Sequence, residues 1–229
     1  MAEEAVKRSG RGRFISFEGG EGAGKSTQIK LLAERLADAK VRTIVTREPG
    51  GSPGAEIIRH LVLSGMGKLL GAEAETLLFA AARDDHVHTV IEPALTQGIW
   101  VLCDRFSDST RVYQGILGQV SPEILSAMQR VTIGDLKPDL TLILDVPVEV
   151  GLQRAAKRRG TGTADRFEAE GIKFHKELRE AYRRIAAAEP QRCLLIDASG
   201  EPDIVAANIW SVLHDRFLAT DLGNVASSA

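Results

Sequence analysis

The sequence predicts an α/β fold: a three-layer, doubly wound sandwich built on a five-stranded parallel sheet flanked by helices. Three observations support it. Five short apolar runs alternate with longer segments whose apolar residues recur at helical spacing. Each run reads as a strand with both faces covered, as a parallel sheet requires. A glycine-rich loop joins the first run to the first helical segment, where folds of this class bind anions.

Arg13–Phe17 is the first expected strand. The loop after it, Gly19-Gly20-Glu21-Gly22-Ala23-Gly24-Lys25-Ser26, fits G-x-x-x-x-G-K-[ST], and Thr27 leads into a helix over Gln28–Ala39. Glycines let such a loop bend until its N–H groups converge on a di- or triphosphate. The positive end of the helix adds to that field. Lys25 can reach the outer phosphates, and the Ser26 hydroxyl can ligate Mg²⁺. Residues 19–27 therefore predict a site for a nucleotide phosphate chain.

The second strand, Arg42–Thr46, ends in a rigid turn, Arg47-Glu48-Pro49-Gly50-Gly51, before a helix at Ala55–Leu63 that carries Arg59. A long helix is expected over Glu73–Thr96, with Phe79 and Arg83 at a spacing that puts them on one face. Phe79 by itself reads as a core aromatic. Arg83 tips the choice towards a binding face, since a core face rarely carries an unpaired guanidinium. The third strand, Ile99–Cys103, runs into Asp104-Arg105. Asp104 is placed to hold Mg²⁺ through water, and Arg105 is a planar fork suited to phosphate. Thr110 and Gln114 repeat the helical spacing, with Tyr113 between them.

Helices at Glu123–Val131 and Val148–Arg158 flank the fourth strand, Leu140–Asp145; Lys173–Ala188, the strand Cys193–Asp197 and Asp203–Leu218 complete the alternation. Arg154, Lys157, Arg158 and Arg159 precede Gly160-Thr161-Gly162-Thr163, and Asp165-Arg166-Phe167-Glu168 follows. A flexible, arginine-bearing segment between two helices suits a lid closing over a triphosphate. The plain alternative is a solvated helix end whose cations complement the dipole. Ligands of such sheets sit beyond the carboxyl ends of the strands. That rule gathers the loop, Arg47-Glu48-Pro49, Asp104-Arg105, and Asp145 or Ala198 along one rim.

The 229 residues contain no repeat or low-complexity linker, so one domain over 1–229 is expected, with a core at about 13–218, a lid at about 157–169 and flexible tails at 1–12 and 220–229. A net charge of −2 implies no general attraction to nucleic acid or anionic membrane. No apolar run is long enough for a bilayer, and the start lacks a signal-peptide core, so a cytoplasmic location is expected. Cys103 and Cys193 lie in apolar runs and read as reduced core residues. The N-K-x-D motif by which GTPases read their base is absent.

Taken together these pieces resemble the thymidylate kinase family, nucleoside-monophosphate kinases of the P-loop kinase fold. The matching elements are Phe-Glu-Gly-x-Glu-Gly-x-Gly-Lys-Ser-Thr at 17–27, Arg-Glu-Pro-Gly-Gly at 47–51 and Phe-Ala-Ala-Ala-Arg at 79–83. Asp-Arg-Phe at 104–106, Tyr-Gln-Gly at 113–115, Lys-Pro-Asp-Leu-Thr at 137–141 and Asp-Arg-Phe-Glu at 165–168 complete the set. The resemblance implies ATP- and Mg²⁺-dependent phosphorylation of dTMP to dTDP, for dTTP biosynthesis, by a homodimer.

It also implies roles. Phe79 would stack on thymine while Arg83 bonds its carbonyl edge. Arg105 would bind the acceptor phosphate, with Arg59 as second donor. Arg47 either helps or pairs with Glu48, which would itself belong to the dTMP-binding set. Thr110 and Gln114 would read the base or sugar edge. Tyr113 would pack against deoxyribose and exclude a 2′-hydroxyl, or else serve as an ordinary helix-packing residue. With Glu21 and no arginine in its phosphate loop, the chain resembles members that carry arginine in the lid, making Arg158, Arg159 and Arg166 the candidates. Glu21 would orient a lid arginine or the acceptor. Two rivals remain at this stage. A deoxynucleoside kinase would use Glu48 as base, and a nucleotide switch would transfer nothing.

Overall fold

The computed structural model describes residues 10–162 and 167–219. Its centre is Phe14–Gly19 (β1), buried at every position. Thr43–Arg47 (β2), Trp100–Asp104 (β3), Leu140–Asp145 (β4) and Cys193–Asp197 (β5) complete a parallel sheet in the order β2-β3-β1-β4-β5. Each predicted strand is present, displaced by two residues at most. The chain leaves β1 for β2 on one side and later crosses to β4 on the other. The loop after β1 therefore sits where strand order reverses, the position at which open α/β sheets form a crevice.

Side-chain alternation on β1 divides the core. Ile15 and Phe17 join Leu102, Leu140, Leu142 and Leu144 against two helices, Lys25–Asp38 (α1) and the later Pro202–Leu213, which contribute Ile29, Leu32, Leu36, Val205, Ile209 and Leu213. Phe14 faces the other way, with Val101, Cys103, Val87, Ile91 and Leu95. Ser16, on the face of Phe14, is wholly buried and shares a 2.8 Å hydrogen bond with Thr141 of β4 that satisfies both hydroxyls. Both cysteines are free and buried, as expected. Trimming one methyl group from fully buried Ile15 (Ile15→Val) is expected to cost about 0.5–1.5 kcal/mol in chemical denaturation.

The strands are not all covered on both faces. Val45 of β2 and Leu195 of β5 are 56% and 43% exposed. They occupy the two edge strands of the sheet. The remaining helices are Pro53–Leu63 (α2), Ala72–His86 (α3), Ser107–Thr110 (α4), Pro122–Thr132 (α5), Val148–Arg159 (α6), Ile172–Ala188 (α7) and Pro202–Leu213 (α8). The predicted Glu73–Thr96 helix contains wider π turns at Val87–Ile91 before its last segment, Glu92–Thr96. α4 passes directly into similar turns at Arg111–Leu117, and a short 3₁₀ turn spans Met66–Leu70. Thr163–Arg166, residues 1–9 and residues 220–229 lie outside the described residues, and Arg166 with them.

Candidate active site

The phosphate loop is shaped by close backbone approach. Gly24 enters α1 at φ 94°, and Gly22 has φ 66° with the Gly151 carbonyl where a side chain would begin. α6 thus backs the loop, and the N–H side is left to face the cleft. Lys25 folds across it, its Nζ donating to the Gly19 and Gly20 carbonyls at 3.1 Å each. Burial and the neighbouring Arg105 cation hold its ammonium below the usual range. Ser26 Oγ donates to Asp104 Oδ2 at 2.9 Å, so the two predicted metal residues lie side by side. A hydroxyl next to a carboxylate is a hard-oxygen set of the kind Mg²⁺ takes, with waters and phosphates supplying the rest. Among the described residues no cluster of three His, Cys, Asp or Glu side chains offers another metal site.

Arg105 stands at the end of β3 in a left-handed conformation, φ 71°. Its backbone N–H donates to Phe17 O, which turns the side chain under the loop. There Nη2 meets Glu21 Oε1 at 2.8 Å, Nη1 reaches Gly19 O at 3.3 Å, and the guanidinium lies 5.2 Å from the Tyr113 ring centroid. Burial alone would raise the Glu21 carboxyl pKa. The surrounding cations, Arg105 first, then Lys25 and Arg158, outweigh it and hold the group below its usual range. Glu21 therefore orients Arg105.

Glu18 sits beneath this pair, wholly buried. Its Oε1 accepts from the N–H groups of Phe106 and Ser109, while its Oε2 faces the hydroxyls of Ser109 and Tyr182 at 2.7 and 2.8 Å. Hydroxyls can accept as well as donate, so this arrangement tolerates a protonated carboxyl. Burial, then the Asp108 charge, push Glu18 up to about 7. A folded-state value above the ordinary 4.5 stabilises the fold fully below that pH, and the contribution is lost as pH rises through 7. Glu18→Gln carries no such titration. The wild type's stability relative to the variant is expected to fall between pH 4.5 and 7 in paired thermal melts.

The opposite wall is built from α2, α3 and α4. Arg83 is not unpaired, as its place on the helix had suggested. Its Nε donates to Glu48 Oε2 at 2.7 Å, its Nη2 donates to Thr110 Oγ1 at 3.0 Å, and it packs over Phe106. Glu48 Oε1 also meets His86 Nδ1 at 3.2 Å, and His86 Nε2 meets Thr46 Oγ1. Glu48 is thus a buried anchor for Arg83. Arg47 pairs with Glu56 rather than with Glu48, and Arg59 donates to the Pro49 carbonyl at 2.6 Å. Phe79 is half-buried and belongs to none of the three apolar clusters, unlike a core aromatic.

One cleft of about 420 Å³ brings these walls together. Glu21, Gly22, Ala23, Gly24, Lys25, Ser26 and Thr27 line it on one side; Glu48, Arg59, Phe79, Arg83, Thr110, Tyr113 and Gln114 line it on the other, with Asp104, Arg105 and Arg158 between. Gly19 and Gly20 line a separate cavity behind the loop instead. Arg158 and Arg159 both pair with Glu168, at 2.7 and 2.9 Å, and Arg159 does not reach the cleft wall. Leu63, Phe106, Ser109 and Phe167 also line the cleft and went unread. Phe167 stacks edge-on against Tyr113, and its place in Asp-Arg-Phe-Glu was the one available signal. Tyr182, 164 residues from the Glu18 it bonds, offered none.

A loop for a nucleotide's phosphates and a buried, oriented arginine within one cleft define a P-loop phosphotransferase of the nucleoside-monophosphate kinase class. The family model for thymidylate kinase matches residues 17–209. A thymidylate kinase of Bradyrhizobium diazoefficiens is 76% identical over 221 residues, covering 96% of this chain and 97% of the relative. One from Nitrobacter winogradskyi is 76% identical over 230 residues, covering 100% of both. The crystal structure of thymidylate kinase from Ehrlichia chaffeensis superposes with a TM-score of 0.71 at 32% identity, over 89% of this chain and 99% of that one. The chain belongs to the thymidylate kinase family.

Proposed function

We propose that the cleft transfers the γ-phosphoryl group of ATP to the 5′-phosphate of dTMP, giving ADP and dTDP for dTTP biosynthesis. The observation that carries this reading is Arg105, a second fixed cation that Glu21 holds at the cleft between the P-loop and the wall of α2–α4. A kinase whose acceptor is an uncharged nucleoside would need a free carboxylate base; the candidate, Glu48, is engaged by Arg83 and His86. A nucleotide switch has no use for a second anion site.

In the transfer, an acceptor phosphate oxygen attacks the γ phosphorus in line as the bond to the β–γ bridging oxygen breaks. The attacking oxygen is already anionic, so no general base is required. What the chain supplies is position and fixed positive charge. Lys25 serves the donor phosphates, and Arg105, with Arg59, serves the acceptor phosphate. Arg158 and Arg159 are the described lid cations; Glu168 presents them as a pair. Mg²⁺ bound near Ser26 and Asp104 would neutralise phosphate charge. Phe79 stacks on thymine, Arg83 bonds its carbonyl edge, and Thr110 and Gln114 complete the edge recognition. Tyr113 fills the space of a 2′-hydroxyl.

A homodimer is supported by exposed apolar side chains on adjoining elements: Met66, Leu69 and Leu70 beside Leu77 of α3, between 53% and 87% exposed. One catalytic unit with a lid near 157–169 is the arrangement this reading calls for, and the two free cysteines suit the cytoplasm. No described helix is long and apolar enough to cross a membrane. The test is a coupled ADP-release assay with ATP and Mg²⁺, offering dTMP and thymidine in parallel. dTMP alone should sustain turnover; equal or better use of thymidine would overturn the reading.

A further inference from the structure

Behind the phosphate loop lies a second, separate cavity of about 20 Å³, on the side away from the cleft. Gly19, Gly20 and Glu21 form its roof, Gly151 and Leu152 of α6 one wall, and His175 of α7 part of its floor. A space of that size holds a single water, and only where polar partners exist. His175 supplies one. The residue is 3% exposed, and its Nε2 is buried with no hydrogen-bond partner among the described residues. A ring nitrogen left so would cost free energy, since it has surrendered water for nothing. Its other neighbours do not satisfy it: Arg179, one turn further along α7, is taken by Asp145 at 2.6 Å, and the Tyr182 hydroxyl is taken by Glu18.

We propose that His175 is a positioning residue for phosphoryl transfer, holding one buried water behind the loop that steadies Glu21 and, through it, Arg105. The chain of contacts is short. His175 and Glu21 share the cavity, and Glu21 Oε1 holds Arg105 Nη2 at 2.8 Å. The water is the only ligand the space admits. Its effect falls on the acceptor side, because the carboxylate it steadies is ion-paired with Arg105.

This inference rests on Arg105 serving the acceptor phosphate, and the test separates the two. Steady-state kinetics are measured for His175→Leu, His175→Gln, Glu21→Gln, Arg105→Lys and the His175→Leu/Glu21→Gln double variant. His175→Leu should raise the dTMP KM about three- to tenfold, the span of one net hydrogen bond, with the ATP KM unchanged. His175→Gln, which can still bond the water, should recover most of the loss. In the Glu21→Gln background His175→Leu should add nothing. Full additivity, or an equal loss in the ATP KM, would assign His175 a merely structural part and overturn the inference. If Glu21→Gln and Arg105→Lys leave the dTMP KM untouched, the acceptor reading itself fails. Should His175→Leu not fold, a crystal structure of the wild-type protein decides: a water within hydrogen-bonding distance of His175 Nε2 supports the inference, and a dry cavity refutes it.

Discussion

Lys25→Ala is expected to lower turnover by about 100- to 1,000-fold, the loss seen when one preorganised donor to a developing negative charge is removed. In the described structure the ammonium bridges two loop carbonyls at the mouth of the cleft, 8% exposed and already stripped of most of its water. It needs little reorganisation to meet a phosphate, and at such a site a fixed charge acts through a low dielectric. ATP binding should weaken less than turnover, because the loop's N–H groups and the α1 dipole remain. Single-turnover kinetics alongside ATP titration measure both. A variant that keeps wild-type turnover would remove Lys25 from the mechanism.

Arg105→Ala should act on the other substrate. The dTMP KM is expected to rise by about 100-fold, in keeping with loss of a bidentate, charge-assisted contact, while the ATP KM changes little. Part of that loss comes from Glu21, whose buried carboxylate is left without its partner. Arg105→Lys separates the contributions. It restores the charge but not the planar fork, so it should recover stability more than dTMP affinity. Initial rates at varied dTMP and ATP, with thermal melts of each variant, distinguish a lost contact from a collapsed site.

What was legible in the sequence was whatever short-range geometry encodes. The phosphate loop is contiguous, so its glycines, Lys25 and Ser26 declare their arrangement directly. Phe79 and Arg83 show their shared face through helical spacing, and Asp104-Arg105 mark a strand's end. Partner choice across elements was not legible. Arg83 looked unpaired because Glu48 comes from the turn after β2 and Thr110 from α4, and only folding places both beside it. Glu21 had two candidate duties, and the left-handed turn at Arg105 selects a third. The wider turns at Val87–Ile91 and Arg111–Leu117 left no trace, since one extra residue per turn barely disturbs an apolar stripe. The edge strands misled because Val45 and Leu195 are apolar whatever covers them.

The most direct test is a crystal structure with a non-transferable ATP analogue and dTMP bound together. The expected result places the analogue's outer phosphate by Lys25, the dTMP phosphate on Arg105 and the thymine ring on Phe79, with the two phosphates facing each other. A dTMP found outside the cleft, or within it but with its phosphate away from Arg105, would contradict the account.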